Sequence, residues 1–288
     1  MVCTEPAFAK LNLSLDILRR RSDGYHDMRM VMQSVTLRDA VTLTEREDGA
    51  LYISNSLPFL PCDEGNIAAK AVRRFFEGTG LPFPGLSVHI QKEIPVCAGM
   101  AGGSTDGAAV LRALRRSYAP DLPWERLEEI AAPVGSDVPF CVRGGTALAE
   151  GRGEVLTELP PMPPCWIVLC KPAFSISTPE LFAQVRLRRL RCRPDTAGLL
   201  RALEAGDLEG AARRLYNIFE DVLPRRYSQV FDIKSALLDL GAMASSMTGS
   251  GPTVFGVFRE RTRAAEAAEA LRGQYPTVFL CEPAARLV

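Results

Sequence analysis

Residues 94–109 read IPVCAGMAGGSTDGAA, sixteen residues with hardly a large side chain among them. Before them Leu86, Val88 and Ile90 alternate as in a strand, and after them Val110, Leu111 and Leu114 fall at helical spacing. A strand entering a helix through such small residues lets backbone N–H groups approach an anion closely. The helix N-terminus adds unpaired donors and about half a unit of positive charge. By physics this is a polyphosphate cradle. Ala98, Gly99, Met100, Ala101, Gly102 and Gly103 form its backbone, while Ser104 and Thr105 are placed to cap the helix or reach a phosphate oxygen or metal. It is neither a Walker A loop, since no Gly-Lys-Ser/Thr follows, nor a G-x-G-x-x-G dinucleotide turn. The plainer alternative is a tight strand-to-helix turn, which rarely needs so many small residues together with two hydroxyls.

The rest of the chain limits the fold around this loop. Leu11, Leu13, Leu15 and Ile17 alternate with Asn12, Ser14 and Asp16, the period of a half-buried strand that puts Lys10 and Asn12 on one polar face. Residues 19–27 break that strand, and 31–43 resume it. Ile67 to Phe76 follow helical spacing, with Gly78 expected to stop the helix. Residues 135–141, GSDVPFC, lead into a short strand, and 144–154 suggest a strand and a turn. Residues 159–165 hold four prolines and mark the boundary between two domains, 1–160 and 161–288. Beyond it come a strand (WIVLCK), a helix with Thr178 as N-cap before Pro179, and helical patterns over 195–240. Two short strands then flank residues 248–251, and a helix and a final strand follow. Strands and helices mix without βαβ alternation, so the class is α+β.

Composition excludes several functions. With 34 basic and 34 acidic residues the net charge is zero, which gives no footing for nucleic acid or a membrane surface. No apolar run approaches the ~20 residues of a bilayer span. Glu5 and Lys10 interrupt any signal-peptide core, so a cytoplasmic setting is expected. The eight cysteines lack Cys-x-x-Cys spacing and read as buried small hydrophobes of a reducing compartment. No metal-ligand cluster is legible.

Single residues are ambiguous. Asp137 suits a general base, yet alone it reads as a turn or cap aspartate. Lys10 beside a base would offset charge arriving with phosphate, yet alone it is an exposed strand lysine. Tyr25 and His26, after Asp23-Gly24, can stack on and hydrogen-bond a ring such as a nucleobase, or simply pack in a loop. Residues 248–251 alone are a hairpin turn. The basic run 185–193 is a solvated face or an insertion.

In order, AKLNLSLDI (9–17), RRSDGYHDM (20–28), the small-residue loop, GSDVPF (135–140) and MTGSGPTVF (247–255) resemble the GHMP kinase superfamily along nearly the whole chain. The Asp-Gly-Tyr-His turn resembles the branch that phosphorylates a cytidine-diphosphate-linked methylerythritol in the non-mevalonate route to isoprenoids. The resemblance implies a ribosomal-protein-S5-domain-2-like N-terminal domain, a ferredoxin-like C-terminal domain and an active site in the cleft between them. It implies a kinase using ATP and Mg2+ with a small-molecule alcohol. Asp137 and Lys10 would be the catalytic pair, and the ATP phosphate loop would run over residues 95–105, adding Pro95, Val96 and Cys97 to the small-residue run, with Ser104 nearest magnesium. Asn66 and Lys92 would meet the nucleoside of ATP. Tyr25 and Phe182 would hold the cytosine, with His26 and Thr178 hydrogen-bonding it, and Asn12 would contact the methylerythritol end. Gly249, Ser250 and Gly251 would close over the transferred phosphate. A homoserine- or mevalonate-type kinase, a diphosphomevalonate decarboxylase or a non-catalytic binding member are the alternatives. Cys97 occupies a place usually glycine or alanine, and Ala98 and Ala101 replace glycines, the alanines being tolerable if those positions avoid positive φ. The Cys97 thiol is expected to make activity sensitive to alkylation, with ATP protecting.

Overall fold

The computed structural model describes residues 2–187, 190 and 192–287. The long strands β1 (Val2–Arg20) and β2 (His26–Glu45) pair antiparallel around a turn in which Asp23 Oδ1 accepts the Tyr25 N–H at 3.0 Å. Then come β3 (Leu51–Asn55), which the sequence did not signal, α1 (Ile67–Thr79) and β4 (Leu86–Gln91). Gly78, expected to stop α1, lies in its last turn. Gly80, left-handed at φ 70°, ends it instead.

The small-residue loop delivers the chain into α2 (Gly102–Tyr118), followed by α3 (Trp124–Ala131) and α4 (Val138–Arg143). Residues 135–141, expected to lead into a short strand, lead instead into this helix. Pro139 presets the helical φ in the first turn, and Gly144 at φ 65° ends it. The hairpin β5 (Thr146–Gly151) and β6 (Val155–Glu158) completes this half.

The proline-rich residues lead to β7 (Trp166–Lys171), α5 (Thr178–Gln184), α6 (Thr196–Glu204), α7 (Leu208–Ala212) and a two-residue strand β8 (Tyr216–Asn217). Thr178 is the first residue of α5 and Ser177 its N-cap. Residues 195–240 are thus not helical throughout: β8 pairs parallel with Ser14 and Leu15 of β1, too short a segment to carry a period. Of the basic run, Arg193 bonds Asp16 at 2.6 Å, whereas Arg188, Arg189 and Arg191 lie outside the described residues. The chain closes with α8 (Gln229–Asp239), the hairpin β9 (Ala244–Met247) and β10 (Val254–Phe258), α9 (Arg261–Arg272) and β11 (Thr277–Cys281).

Two sheets result. The first runs β3-β4-β2-β1-β8, with β5 and β6 attached through β2; the second is β11-β7-β10-β9. Helices α8 and α9 cover one face of the second sheet. Its other face, with Ile167, Leu169, Phe255 and Val257, packs against Leu11, Leu13 and Val31 of the first sheet in a shared core. Residues 10–17 of β1 are consequently buried on both faces, not half-buried. Leu11 and Leu13 face the other half, while Lys10 and Asn12 reach a cleft between the halves.

Candidate active site

That cleft encloses about 1000 Å³ and is lined from both halves. Every residue singled out from the sequence lines it except Met100 and Thr105. Met100 is buried, its carbonyl accepting the Lys10 N–H at 3.2 Å. Thr105 is buried too, its hydroxyl donating to the Gly102 carbonyl at 2.8 Å.

On the cleft floor, Lys10 Nζ lies 3.4 Å from Asp137 Oδ2 and donates to Asn12 Oδ1 at 2.8 Å. Lys10 projects from the centre of β1 with 5% of its side chain exposed, whereas the Asp137 side chain is 29% exposed and open to the cleft. Asp137 occupies the N-cap position of α4 but makes no capping bond. Its carboxylate instead faces the ammonium, so the cap reading does not describe it.

The phosphate loop meets the β9–β10 turn backbone to backbone. A Cβ on Gly99 would sit 2.3 Å from the Thr248 carbonyl oxygen, and one on Gly249 2.7 Å from the Gly99 carbonyl oxygen. Only glycine permits that approach. The Thr248 hydroxyl, fully buried, accepts the Asn12 backbone N–H at 3.0 Å and donates to the Gly99 carbonyl at 3.4 Å. Asn217 of β8 donates from its amide to the Met247 and Gly249 carbonyls at 2.7 and 2.8 Å. Neither Thr248 nor Asn217 was identified from sequence as a site residue. Thr248 lay inside a recognised segment; Asn217 offered no signal.

Within the loop, Ala101 (φ 58°) is the left-handed N-cap of α2, and Cys97 has φ 52°. The condition under which alanine would replace glycine without strain is therefore not met at Ala101, while Ala98 is not left-handed, and Cys97 is held in the left-handed region as well. Because α2 begins at Gly102, Ser104 and Thr105 stand in its first turn and do not cap it. Ser104 lines the cleft, its hydroxyl 3.9 Å from a Cβ built on Gly135, the residue before the cleft-lining Ser136 and Asp137.

Lys92 and Asn66 line the other arm of the cleft, with their polar groups engaged by the protein. Lys92 Nζ sits between the carboxylates of Asp39 and Asp106, the latter at 2.7 Å. Burial pulls Lys92 down, but Asp106 and Asp39 push it above its usual value, so it is a fixed cation. Burial also raises Asp106 well above the ordinary aspartate range despite Lys92. Asp39 additionally accepts the Glu93 and Ile94 N–H groups at 2.5 and 2.8 Å, anchoring the entry to the loop. Asn66 caps α1 through Oδ1 and donates from Nδ2 to the Pro61 carbonyl at 2.7 Å.

At the far end, His26 stacks on Phe182 with centroids 5.0 Å apart and planes inclined by 24°. Phe182 in turn packs edge-on against Phe219. Burial, and then the Arg20 charge, hold His26 below its usual imidazole value, leaving it neutral at pH 7. Tyr25 stands apart from this stack, 56% exposed, with the Arg152 guanidinium over its ring at 4.8 Å. Thr178 and Ser250 share a hydroxyl hydrogen bond of 2.7 Å across the opening. The cleft therefore joins a donor-rich anion loop, a lysine–carboxylate pair and an aromatic end.

Proteins similar to this chain in sequence and fold are numerous. Residues 66–145 match the GHMP kinases N terminal domain, and residues 199–277 the GHMP kinases C terminal domain. The 4-diphosphocytidyl-2-C-methyl-D-erythritol kinase of Alkaliphilus metalliredigens (strain QYMF) is 41% identical over 278 residues, covering 96% of this chain and 95% of that protein. A crystal structure of 4-(cytidine 5'-diphospho)-2C-methyl-D-erythritol kinase superposes with a TM-score of 0.82 at 29% identity, over 98% of this chain and all of the other. Homoserine kinase from Cytophaga hutchinsonii shares the fold at TM-score 0.77 and 18% identity, over 99% of this chain and 95% of its own. With both family domains present in order and a relative matched nearly end to end, the chain belongs to the GHMP kinase family.

Proposed function

We propose that this chain transfers the γ-phosphate of ATP to the 2-hydroxyl of 4-diphosphocytidyl-2-C-methyl-D-erythritol, giving the 2-phosphate and ADP for isoprenoid precursor synthesis. The observation that carries the reading is the Lys10–Asp137 pair, 3.4 Å apart, in one cleft with the phosphate loop and an aromatic slot. Phosphoryl transfer asks little covalent chemistry of a protein, only a positioned hydroxyl, positioned phosphate and neutralised charge. Asp137, facing Lys10 and open to the cleft, accepts the proton of the attacking hydroxyl. Lys10, fixed by Asn12 and Asp137, orients that hydroxyl and balances the developing alkoxide. Residues 95–105 hold the ATP phosphates at the N-terminus of α2, and Gly249, Ser250 and Gly251 close over the phosphate in transit. Asn66 and Lys92 stand on the nucleoside side, while Tyr25, Phe182, His26 and Thr178 receive the cytosine and Asn12 the methylerythritol end.

Magnesium fits this site as a partner of ATP. The Ser104 hydroxyl in the first turn of α2 would be a suitable oxygen donor to it, beside the oxygens of ATP and water. When bound, the ion neutralises charge on the transferring phosphoryl group. In this reading the domains are 1–160, with loop, lysine and aspartate, and 161–288, with the closing turn and Phe182. A cytoplasmic setting suits the eight free thiols.

The test is ATP consumption with magnesium, offering the cytidine-diphosphate substrate, homoserine and mevalonate in turn. Turnover should be confined to the first and fall about 10²–10⁴-fold in Asp137→Asn, as expected for loss of a general base. Turnover of another alcohol instead refutes the substrate. Nucleotide binding without any turnover favours a non-catalytic member.

A further inference from the structure

Among the described residues, the Lys and Arg side chains that line the cleft are Lys10, Lys92 and Arg152. The first two are engaged: Lys10 with Asp137, and Lys92 with Asp39 and Asp106. Arg152 differs. Its guanidinium makes no hydrogen bond and no ion pair with any described residue. The acid that feels its charge, Asp23, is already bonded to Arg21 at 3.0 Å and to the Tyr25 N–H.

Its placement is built. Arg152 tips the β5–β6 turn between Gly151 and Gly153, both at positive φ, and its backbone N–H donates to Glu154 Oε2 at 2.6 Å. The guanidinium carbon lies 4.8 Å from the Tyr25 ring centroid. An arginine laid on an aromatic face keeps its N–H edge available, and that planar fork matches phosphate oxygens. A cation so placed has no hydrogen-bond or ion-pair partner among the described residues, yet lines the end of the cleft where a nucleobase slot begins.

We propose that Arg152 is a substrate-binding residue that takes the diphosphate of the cytidine-diphosphate substrate, its edge on the phosphate oxygens and its face on Tyr25. The inference rests on the substrate reading above and adds to it a charged specificity element outside the recognised motifs. It also explains how the acceptor's diphosphate is met when both cleft lysines are already paired with carboxylates.

The experiment measures binding of CDP and of cytidine to the full chain without ATP, for wild type, Arg152→Gln and Arg152→Met. Wild type should prefer CDP. Both variants should weaken CDP tenfold or more and cytidine less than threefold, and the salt dependence of CDP binding should become shallower. In turnover, KM for the cytidine substrate should rise while kcat and KM for ATP stay within twofold. Equal weakening of CDP and cytidine would make Arg152 a prop for Tyr25 and overturn the proposal; so would no change in either. A wild type that turns over the substrate while the variants keep its KM refutes Arg152 alone. A wild type that ignores both CDP and the substrate refutes the substrate reading itself, and this inference with it.

Discussion

Ala101 and Cys97 hold left-handed backbone conformations at φ 58° and 52°, where a side chain costs about 1–2 kcal/mol relative to the right-handed region. Such strain collects at ligand-binding loops, where it fixes donors in a preset array. Ala101→Gly relieves it, partly offset by about 0.5–1 kcal/mol from the freer unfolded chain. The urea midpoint should therefore rise, by a net gain of about 0.5–1 kcal/mol at unchanged slope. Gly99→Ala should do the opposite, losing about 3 kcal/mol or more, because its Cβ would strike the Thr248 carbonyl, which cannot move aside. The sequence displayed the alanine and cysteine in the loop; the sign of φ depends on how the loop docks on a turn some 150 residues away. Asp106 gives a pH-dependent effect. Its carboxyl is raised by burial, so the folded chain keeps a proton that the unfolded chain releases near pH ~4. That contribution to stability is complete below the unfolded value and is lost as pH rises through the folded one. Asp106→Asn removes the slope while its amide oxygen can still accept from Lys92. The variant should gain on wild type between about pH 5 and 8 in urea unfolding; a constant difference would refute the assignment.

At the scale of elements, one hydroxyl joins three of them: β1 through the Asn12 N–H, the phosphate loop through the Gly99 carbonyl, and the β9–β10 turn that carries Thr248. Thr248→Val keeps the shape and leaves the buried Asn12 N–H without an acceptor, costing about 1–3 kcal/mol. Because the hydroxyl also steadies the loop, KM for ATP should rise several-fold, and Thr248→Ser should restore both stability and KM. A valine variant with wild-type KM would show the bridge to be structural only. β1 also shows how far local pattern reaches. The alternation from Leu11 to Ile17 revealed the strand, its apolar face and the shared face of Lys10 and Asn12. It could not reveal that the polar face is buried as well, because the groups that meet it, Asp137 at Lys10, Thr248 at Asn12 and Arg193 at Asp16, come from far along the chain and leave no mark on the period of β1. For the same reason β8 was invisible at two residues long. Residues 138–143 hid a helix because six residues offer less than two turns of periodicity, and Pro139 reads equally as a strand breaker or a first-turn helix residue.

The whole molecule places its chemistry on a seam. Lys10, Asp137 and the phosphate loop come from the chain before residue 160, while Phe182, Thr178 and residues 249–251 come from after it, and all line one cleft. The seam is also a core: Leu11, Leu13 and Val31 pack on Ile167, Leu169 and Phe255, and β8 extends the first sheet from the second half. Two halves that share a sheet and a core should not melt apart. Calorimetry should give one transition whose calorimetric and van't Hoff enthalpies agree. Saturating ATP, at about 100 times its Kd, should stabilise the whole by about 2.7 kcal/mol and leave the transition single. A fragment ending at residue 160 should fail to bind nucleotide, since it lacks the Thr248 acceptor for Asn12 and exposes the apolar face of β1. Two resolved transitions, only one of them shifted by ATP, would instead mean that the halves are independent bodies. The cleft would then assemble only when substrate draws them together.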